Sequence, residues 1–290
     1  MMSRTPRIFI LIALLILTVS VSASVSAQAT EEADPRADLT QAFAAFVKAG
    51  NYHFTSDSSS LYHNTDINKQ VTTLYYGYSI EGDVLSNSEY RDTITLESGT
   101  DKQAADAKGA LRYERIVTGG KLYLRPLATG QWLEVPPSAL AQHPDLNTLM
   151  RLTIPSQAII NDSLVESVTD GGVESINGVD AQRYDLKVNG LGLLLASAGS
   201  GVDQLRLAFR SLRLMAASTF DVSEQVWVGV QDKKVYRSTG QSHTIIPYVT
   251  YGIQDAPPYD LDSSAQYGFT ISYPTQPIVI KPPKGAVLYQ

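Results

Sequence analysis

Hydrophobic and polar side chains alternate along residues 173–188, and this is the clearest pattern in the chain. Asn177-Gly178 in its middle is a dipeptide that readily adopts the positive φ angles of a tight turn. A period of two is typical of a strand with one buried face. The stretch therefore predicts a β-hairpin. After its turn, two sets of residues point to opposite faces: Ala181, Arg183, Asp185 and Lys187 on one, and Gln182, Tyr184, Leu186 and Val188 on the other.

Residues 224–238 repeat the pattern and predict a second hairpin with its turn at Asp232-Lys233. We expect the polar residues 56–60 to form a loop. The proline-rich tail, 274–290, is expected to run over the surface or to add an edge strand. The other segments of strand-like period are 52–55, 71–80, 90–96, 111–117, 121–125, 131–135, 243–253 and 267–273.

Helical spacing of apolar residues marks fewer segments. Residues 39–49 predict one helix, 138–168 predict two short helices interrupted by prolines, and 202–216 predict a longer helix between the two hairpins. One stripe of the helix 202–216 is expected to pack on the sheet, while Leu207 and Leu214 lie on its opposite side. Two interpretations of that second stripe stay open: a loop covers it, or it faces an apolar cavity.

Apolar faces recur on successive predicted strands, and an exposed sheet face of this kind needs a cover. We therefore predict an α+β fold with a single curved antiparallel β-sheet. The sheet is an open half-barrel of about ten strands, with helices covering its concave face. The expected lining of an apolar cavity between sheet and helices consists of Leu74, Tyr76, Tyr78, Ile94, Leu96, Leu207, Leu214, Phe269 and Ile271.

Composition narrows the possible classes of site and partner. The 290 residues include no cysteine, which excludes disulfides, thiolate metal sites and a cysteine nucleophile within this sequence. The formal net charge is −6, and Lys and Arg are not clustered. We therefore expect no nucleic-acid partner. A transient membrane or envelope-protein partner stays open, as does the oligomeric state.

The first 29 residues have the pattern of a secretory signal peptide. Arg4 and Arg7 precede an apolar run, 8–19, that is too short to span a bilayer comfortably. Small residues follow, and Ala27-Gln28-Ala29 fits a cleavage site. We expect the signal to be removed and residues 30–290 to form one exported domain, soluble after cleavage, in the periplasm or elsewhere in the cell envelope.

Sequence motifs for catalysis or cofactor binding are absent. The four histidines are not at metal-ligand spacing, and neither a phosphate-binding glycine loop nor a GxSxG nucleophile turn occurs. We therefore expect no cofactor, no metal site and no catalytic residues. Paired carboxylates of the glycosidase type stay open, because such pairs can be distant in sequence. The histidines are His53, His63, His143 and His243.

Residues 173–238 also resemble a known family. The hairpin ExINGVxAxRY at 174–184 is followed by a predicted helix and then by VWVGVQDKKVYR. This order resembles the LppX/LprG type of envelope lipoprotein, within the wider LolA/LolB-like carrier fold. The resemblance implies an open half-barrel whose concave face holds acyl chains of lipids or lipoproteins. The family usually carries a lipobox cysteine, which this chain lacks, so the resemblance implies a soluble exported version.

Three functions compete at this point. The first is a non-catalytic binder or carrier of an apolar ligand, an acyl-chain lipid or lipoprotein, in the cell envelope. The second is a protein-binding envelope sensor or assembly module whose cavity is collapsed. The third is an exported hydrolase with unrecognised carboxylates. An apolar cavity favours the first, a filled core with an exposed apolar patch the second, and a cleft with two carboxylates the third.

Signal removal can be tested directly. We expect N-terminal sequencing of the exported protein to begin at Thr30, or at Gln28 if the neighbouring site Val25-Ser26-Ala27 is used. A mature chain that still begins at Met1 would contradict this prediction.

Overall fold

The computed structural model describes residues 34–142, 149, 152, 154–158, 160–197, 216–249 and 258–289. The expected signal segment lies outside these residues. So does most of the predicted helix 202–216, with Leu207 and Leu214.

The described strands form one open sheet in the order β12-β6-β5-β4-β3-β2-β1-β11-β10-β9-β8-β7. Neighbouring strands are antiparallel, except that β12 runs parallel to β6. The strands are β1 Tyr52–Asp66, β2 Val71–Ser86, β3 Glu89–Gly99, β4 Leu111–Thr118, β5 Lys121–Pro126, β6 Leu133–Val135, β7 Val165–Ile176, β8 Val179–Asn189, β9 Thr219–Gly229, β10 Val235–Ile246, β11 Tyr259–Ser272 and β12 Val287–Leu288. The helices are α1 Pro35–Lys48, α2 Lys102–Lys108, α3 Pro137–Gln142 and α4 Gly190–Ser197.

The predicted α+β class and the open half-barrel are confirmed, with twelve strands in the described residues rather than about ten. The prediction of a loop at residues 56–60 is wrong, because these residues lie inside β1. The backbone of β1 pairs with β2 on one side and with β11 on the other. The Ser56 hydroxyl also donates a hydrogen bond of 2.9 Å to the Gly268 carbonyl. Serine is therefore well satisfied in this central strand.

Helix α1 defines the two faces of the sheet. It begins at Pro35, where the Asp34 side chain accepts a hydrogen bond from the backbone N–H of Arg36 and so caps the helix. Its apolar stripe packs on one face, called here the inner face, which corresponds to the predicted concave face; the opposite face is called the outer face. The buried residues of the stripe are Leu39, Ala42, Phe43 and Phe46.

The outer face is also covered in one place. Helix α2 packs there against the end of β3, where a Cβ added to Gly99 would lie 2.6 Å from the backbone nitrogen of Ala105. The Lys102 ammonium lies 5.9 Å from the centre of the Tyr75 ring, which is buried on this face. The pattern of apolar residues does not predict this helix, and glycine at position 99 makes its close approach possible.

In the connection that leads to β7, the described start of the first predicted helix is helical, as α3. In place of the second predicted helix, the described residues form two 3-10 turns, Pro155–Gln157 and Asp162–Leu164, and the start of β7. Several hydrogen bonds attach this connection to the sheet and to α1. The Tyr52 hydroxyl donates to Ser156 Oγ at 2.9 Å, and the Arg36 guanidinium donates to the Asp162 carbonyl at 3.0 Å and to the Val165 carbonyl at 2.8 Å.

A buried ion pair provides the strongest of these attachments. Asp92 and Arg115 are cross-strand neighbours on β3 and β4, and both side chains are fully buried. Arg115 Nη2 lies 2.6 Å from Asp92 Oδ2, while Nη1 donates to the carbonyls of Leu149 at 3.0 Å and Leu152 at 2.8 Å. The guanidinium therefore joins the sheet to the connection above it.

This arrangement predicts a large loss of stability when the pair is broken. Asp92→Asn leaves a buried guanidinium without its countercharge, which should lower the free energy of unfolding by about 3–5 kcal/mol in urea melts. Glu166→Gln is the control, because Lys187 and Glu166 form a pair whose side chains are 72 % and 44 % exposed and exposed pairs contribute only about 0–1 kcal/mol. Similar losses in both variants would contradict the assigned role of Arg115.

Candidate functional site

One row of cross-strand neighbours crosses the inner face and is called here the central row. Each residue of the row lies opposite the next on the adjacent strand, so their side chains emerge on the same face. In order from β4 to β7, the row is Leu111, Leu96, Tyr78, Ser58, Tyr267, Gly240, Glu224, Leu186 and Val168.

On the α1 side of the central row the inner face is packed shut. Phe269 stacks on Phe46 of α1 with ring centres 6.1 Å apart. Ile94 and Ile271 are fully buried in the same cluster. These three residues of the predicted lining thus belong to the packed core of the described structure.

On the other side of the row the inner face is open over β1 and β2, where Leu74 and Tyr76 lie, and Tyr78 and Leu96 lie in the row at the edge of this open part. Tyr76 is 50 % exposed, and Leu74, Tyr78 and Leu96 are half-buried. Tyr62 from β1 packs edge-on against Tyr76 with ring centres 5.8 Å apart. We call Leu74, Tyr76, Tyr78, Leu96 and Tyr62 the open half. Ligand contact by these residues stays a prediction, as it does for Leu207 and Leu214.

A buried carboxyl group interrupts the apolar surface beside the open half. Glu224 is only 4 % exposed. Its Oε1 accepts a short hydrogen bond from the Ser238 hydroxyl, whereas Oε2 has no hydrogen-bond partner among the described residues. Burial raises the pKa of Glu224 to about 7 from its ordinary value of 4.5, because desolvation disfavours the charged form. The side chain therefore changes its protonation near neutral pH.

Tyr267 lies beside this carboxyl group. Its ring covers Gly240, the residue between the two in the central row, and a Cβ at position 240 would lie only 2.3 Å from the ring. Burial and the nearby Glu224 both raise the pKa of Tyr267. Glycine at 240 thus leaves room for the ring next to the carboxyl group.

Glu224 is not among the site residues predicted from the sequence. A signal was present, however: Glu224 has the same phase as Val222, Val226 and Val228 in an alternating strand. A charged residue in register with an apolar face is expected to be buried, and buried charges without partners are rare. The alternation of the strand alone could not show that no basic side chain pairs with this carboxyl group.

The outer face has a different chemistry. Two cavities on it, of about 790 and 510 Å³, share Ser223, Gln241 and Gln266 in their walls. These three side chains are exposed and offer hydroxyl and amide groups. The wall of the larger cavity also includes Leu61, Tyr75 and Phe220, so the outer face mixes polar and apolar groups.

Three of the four histidines have a polar side chain within hydrogen-bond distance. His53 Nδ1 lies 3.0 Å from Asp83 Oδ1, His63 Nδ1 lies 3.1 Å from Thr73 Oγ1, and His243 Nε2 lies 2.9 Å from Asp262 Oδ1. His143 lies outside the described residues. Within the described ranges, no three His, Cys, Asp or Glu residues are grouped to hold a metal ion. Nor is any helix in the described part of the chain long and apolar enough to cross a membrane.

Comparison with solved structures returns proteins of the type that residues 173–238 resemble. The chain is similar to lipoprotein LppX of Mycobacterium tuberculosis, at 10% identity and a TM-score of 0.41, over 85% of this chain and 97% of that one. It is similar to LprF of Mycobacterium bovis, at 12% identity and a TM-score of 0.39, over 87% and 97%. A LolA superfamily protein of Nitrosomonas europaea matches at 11% identity and a TM-score of 0.22, over 84% and 94%. No family model and no curated protein matches the chain.

The buried carboxyl group predicts an unusual pH dependence of stability. An acid with a raised folded pKa favours the protonated folded state, so its contribution is fully present below pH 4.5 and is lost as pH rises through about 7. The wild-type free energy of unfolding should therefore fall by up to about 1.4 kcal/mol per pH unit between these values relative to Glu224→Gln.

Urea melts from pH 5 to pH 8.5 measure this difference. Asp221→Asn removes the same charge from the exposed face of the same strand and should keep the wild-type slope. A difference between wild type and Glu224→Gln that does not change with pH would contradict the assigned titration.

Proposed function

We propose that this protein is an exported, non-catalytic binder or carrier of an apolar ligand, such as the acyl chain of a lipid or lipoprotein, in the cell envelope. The observation that carries the proposal is the open half. Its apolar and aromatic side chains lie side by side on the face of the sheet that forms the core, yet they are not packed shut. Contiguous exposed apolar surface of this kind is typical of an interaction site.

The open half suits an extended hydrocarbon chain. Burial of each CH₂ group contributes about 0.8 kcal/mol before ordering is subtracted, so a chain of some sixteen carbons can bind without a charged anchor. The tyrosine rings provide broad apolar surface with one polar tip each. Tyr78 and Leu96 also pack against the core cluster on the α1 side, which positions this edge of the open half.

The cellular part of the proposal is supported by the sequence. The signal-like segment directs the chain to the export pathway, and the acidic, cysteine-free composition is compatible with an extracytoplasmic domain. Carriage of a lipid needs selective contact and release but no reaction centre, so the proposal assigns no catalytic residue.

Displacement of a fluorescent fatty-acid probe tests the binding function. The chain from residue 30, folded and stripped of lipid, should bind the probe, and Tyr76→Asp should weaken binding at least about tenfold because it places a charge in the apolar surface. Leu207→Asp tests the predicted contribution of the second helix stripe in the same way. Val173→Asp is the control, since Val173 is 59 % exposed on the outermost strand β7.

Three results would count against the proposal. They are no probe binding by the folded wild type, binding that neither Tyr76→Asp nor Leu207→Asp affects, and equal weakening by Val173→Asp. The first two would favour the protein-binding envelope module instead.

A further inference from the structure

The carboxyl group of Glu224 lies on the same face as the open half and in one row with two of its residues. Tyr78 and Leu96 are members of the central row, as is Glu224. Ser58, Tyr267 and Gly240 lie between them, and these residues carry a hydroxyl group, a phenol and no side chain. The row therefore links the open half to Glu224 along one face of the sheet, and its side chains become more polar toward the carboxyl group.

Oε2 of Glu224 is an acceptor that lacks a donor. It is buried, and no described residue donates a hydrogen bond to it. A buried acceptor without a partner destabilises the folded structure, because burial removes its hydrogen bonds to water and nothing replaces them. A ligand that brought a donor to this position would recover that loss, and hydrogen bonding to the carboxyl group would then contribute to its affinity.

The surrounding charges disfavour an anionic ligand. Arg115 is the one basic residue whose position faces inward on the described strands, and its guanidinium is already bound to Asp92 and to two backbone carbonyls. Asp38 of α1 and Asp170 of β7 add acidic groups near Tyr184. The guanidinium of Arg36 on α1 also reaches this face, but it is bound to Asp162 and to the carbonyl of Val165. A ligand carboxylate would meet negative groups without a free cation among the described residues.

We propose that Glu224 recognises the headgroup of the bound lipid by accepting a hydrogen bond from a hydroxyl group, so that the site prefers an uncharged, hydroxyl-bearing acyl lipid over a free fatty acid of the same chain length. This inference rests on the proposed function. It adds the class of lipid that the site selects.

The preference depends on pH in a defined direction. Glu224 and Tyr267 are the titratable groups that lie closest in the row, and Tyr267 stays neutral over the working range because its pKa is raised. As pH rises and Glu224 loses its proton, repulsion of a fatty-acid carboxylate increases, while a hydroxyl donor binds the carboxylate more strongly. The preference for the hydroxyl lipid should therefore increase from pH 6 to pH 8.5.

Competition against an uncharged probe, N-phenyl-1-naphthylamine, tests the inference. Monopalmitoylglycerol and palmitic acid are compared as competitors on wild type, Glu224→Gln and Asp221→Asn. At pH 8 the wild type and Asp221→Asn should prefer monopalmitoylglycerol by about tenfold, the usual scale for a hydrogen bond to a charged group. Glu224→Gln should reduce the preference to about twofold or less, mainly by binding palmitate more tightly.

The outcomes separate the two proposals. If no variant binds the probe or either lipid, the proposed function fails. If the wild type binds both lipids equally, or if Glu224→Gln keeps the wild-type preference, binding stands and the role of Glu224 is overturned.

Infrared spectroscopy of the wild type gives a second readout that does not depend on the folding of a variant. With ¹³C-labelled glutamate, addition of monopalmitoylglycerol should shift the carboxyl band of the buried glutamate. A band unchanged at saturating lipid would also overturn the inference.

Discussion

The buried ion pair between Asp92 and Arg115 determines which part of the inner face is closed. A charged pair without water needs all its hydrogen-bonding groups satisfied. Arg115 meets this condition only because the carbonyls of Leu149 and Leu152 complete its set of acceptors. The connection before β7 is therefore held over one side of the sheet, next to α1. The part of the inner face beyond the central row on β1 and β2 receives no such attachment from the described residues, and this asymmetry is what leaves tyrosine rings partly exposed there.

Two buried charges on the same face illustrate opposite solutions to desolvation. Asp92 has a guanidinium within 2.6 Å, whereas Glu224 has one serine hydroxyl and an unpaired oxygen. The first arrangement fixes a conformation. In the second, Glu224 changes its charge near neutral pH, and its unpaired oxygen can accept a hydrogen bond from a ligand. This is the physical reason to connect Glu224 with recognition rather than with folding.

The faces of the strands could be predicted from sequence because alternation is a local property, and the buried set Tyr184, Leu186 and Val188 is found as the pattern predicted. The serines of β1 could not be assigned, because their strand is held by partners more than two hundred residues away on β11. For the same reason, the division of the predicted lining, with Ile94 in the core and Tyr76 exposed, depends on where α1 and the connection pack. Glu224 was visible as a charge in an apolar phase, but its lack of a cation is a property of the tertiary structure.

The two outermost strands differ from the rest in a way that concerns contacts between molecules. Strand β7 has irregular pairing at Val165/Ser167 and at Asp170/Gly172, and Arg36 occupies the Val165 carbonyl at its start. Strand β12 has only two residues. Bulged, capped or very short edges are poor templates for the addition of another strand. A sheet this wide is thereby protected from edge-to-edge polymerisation.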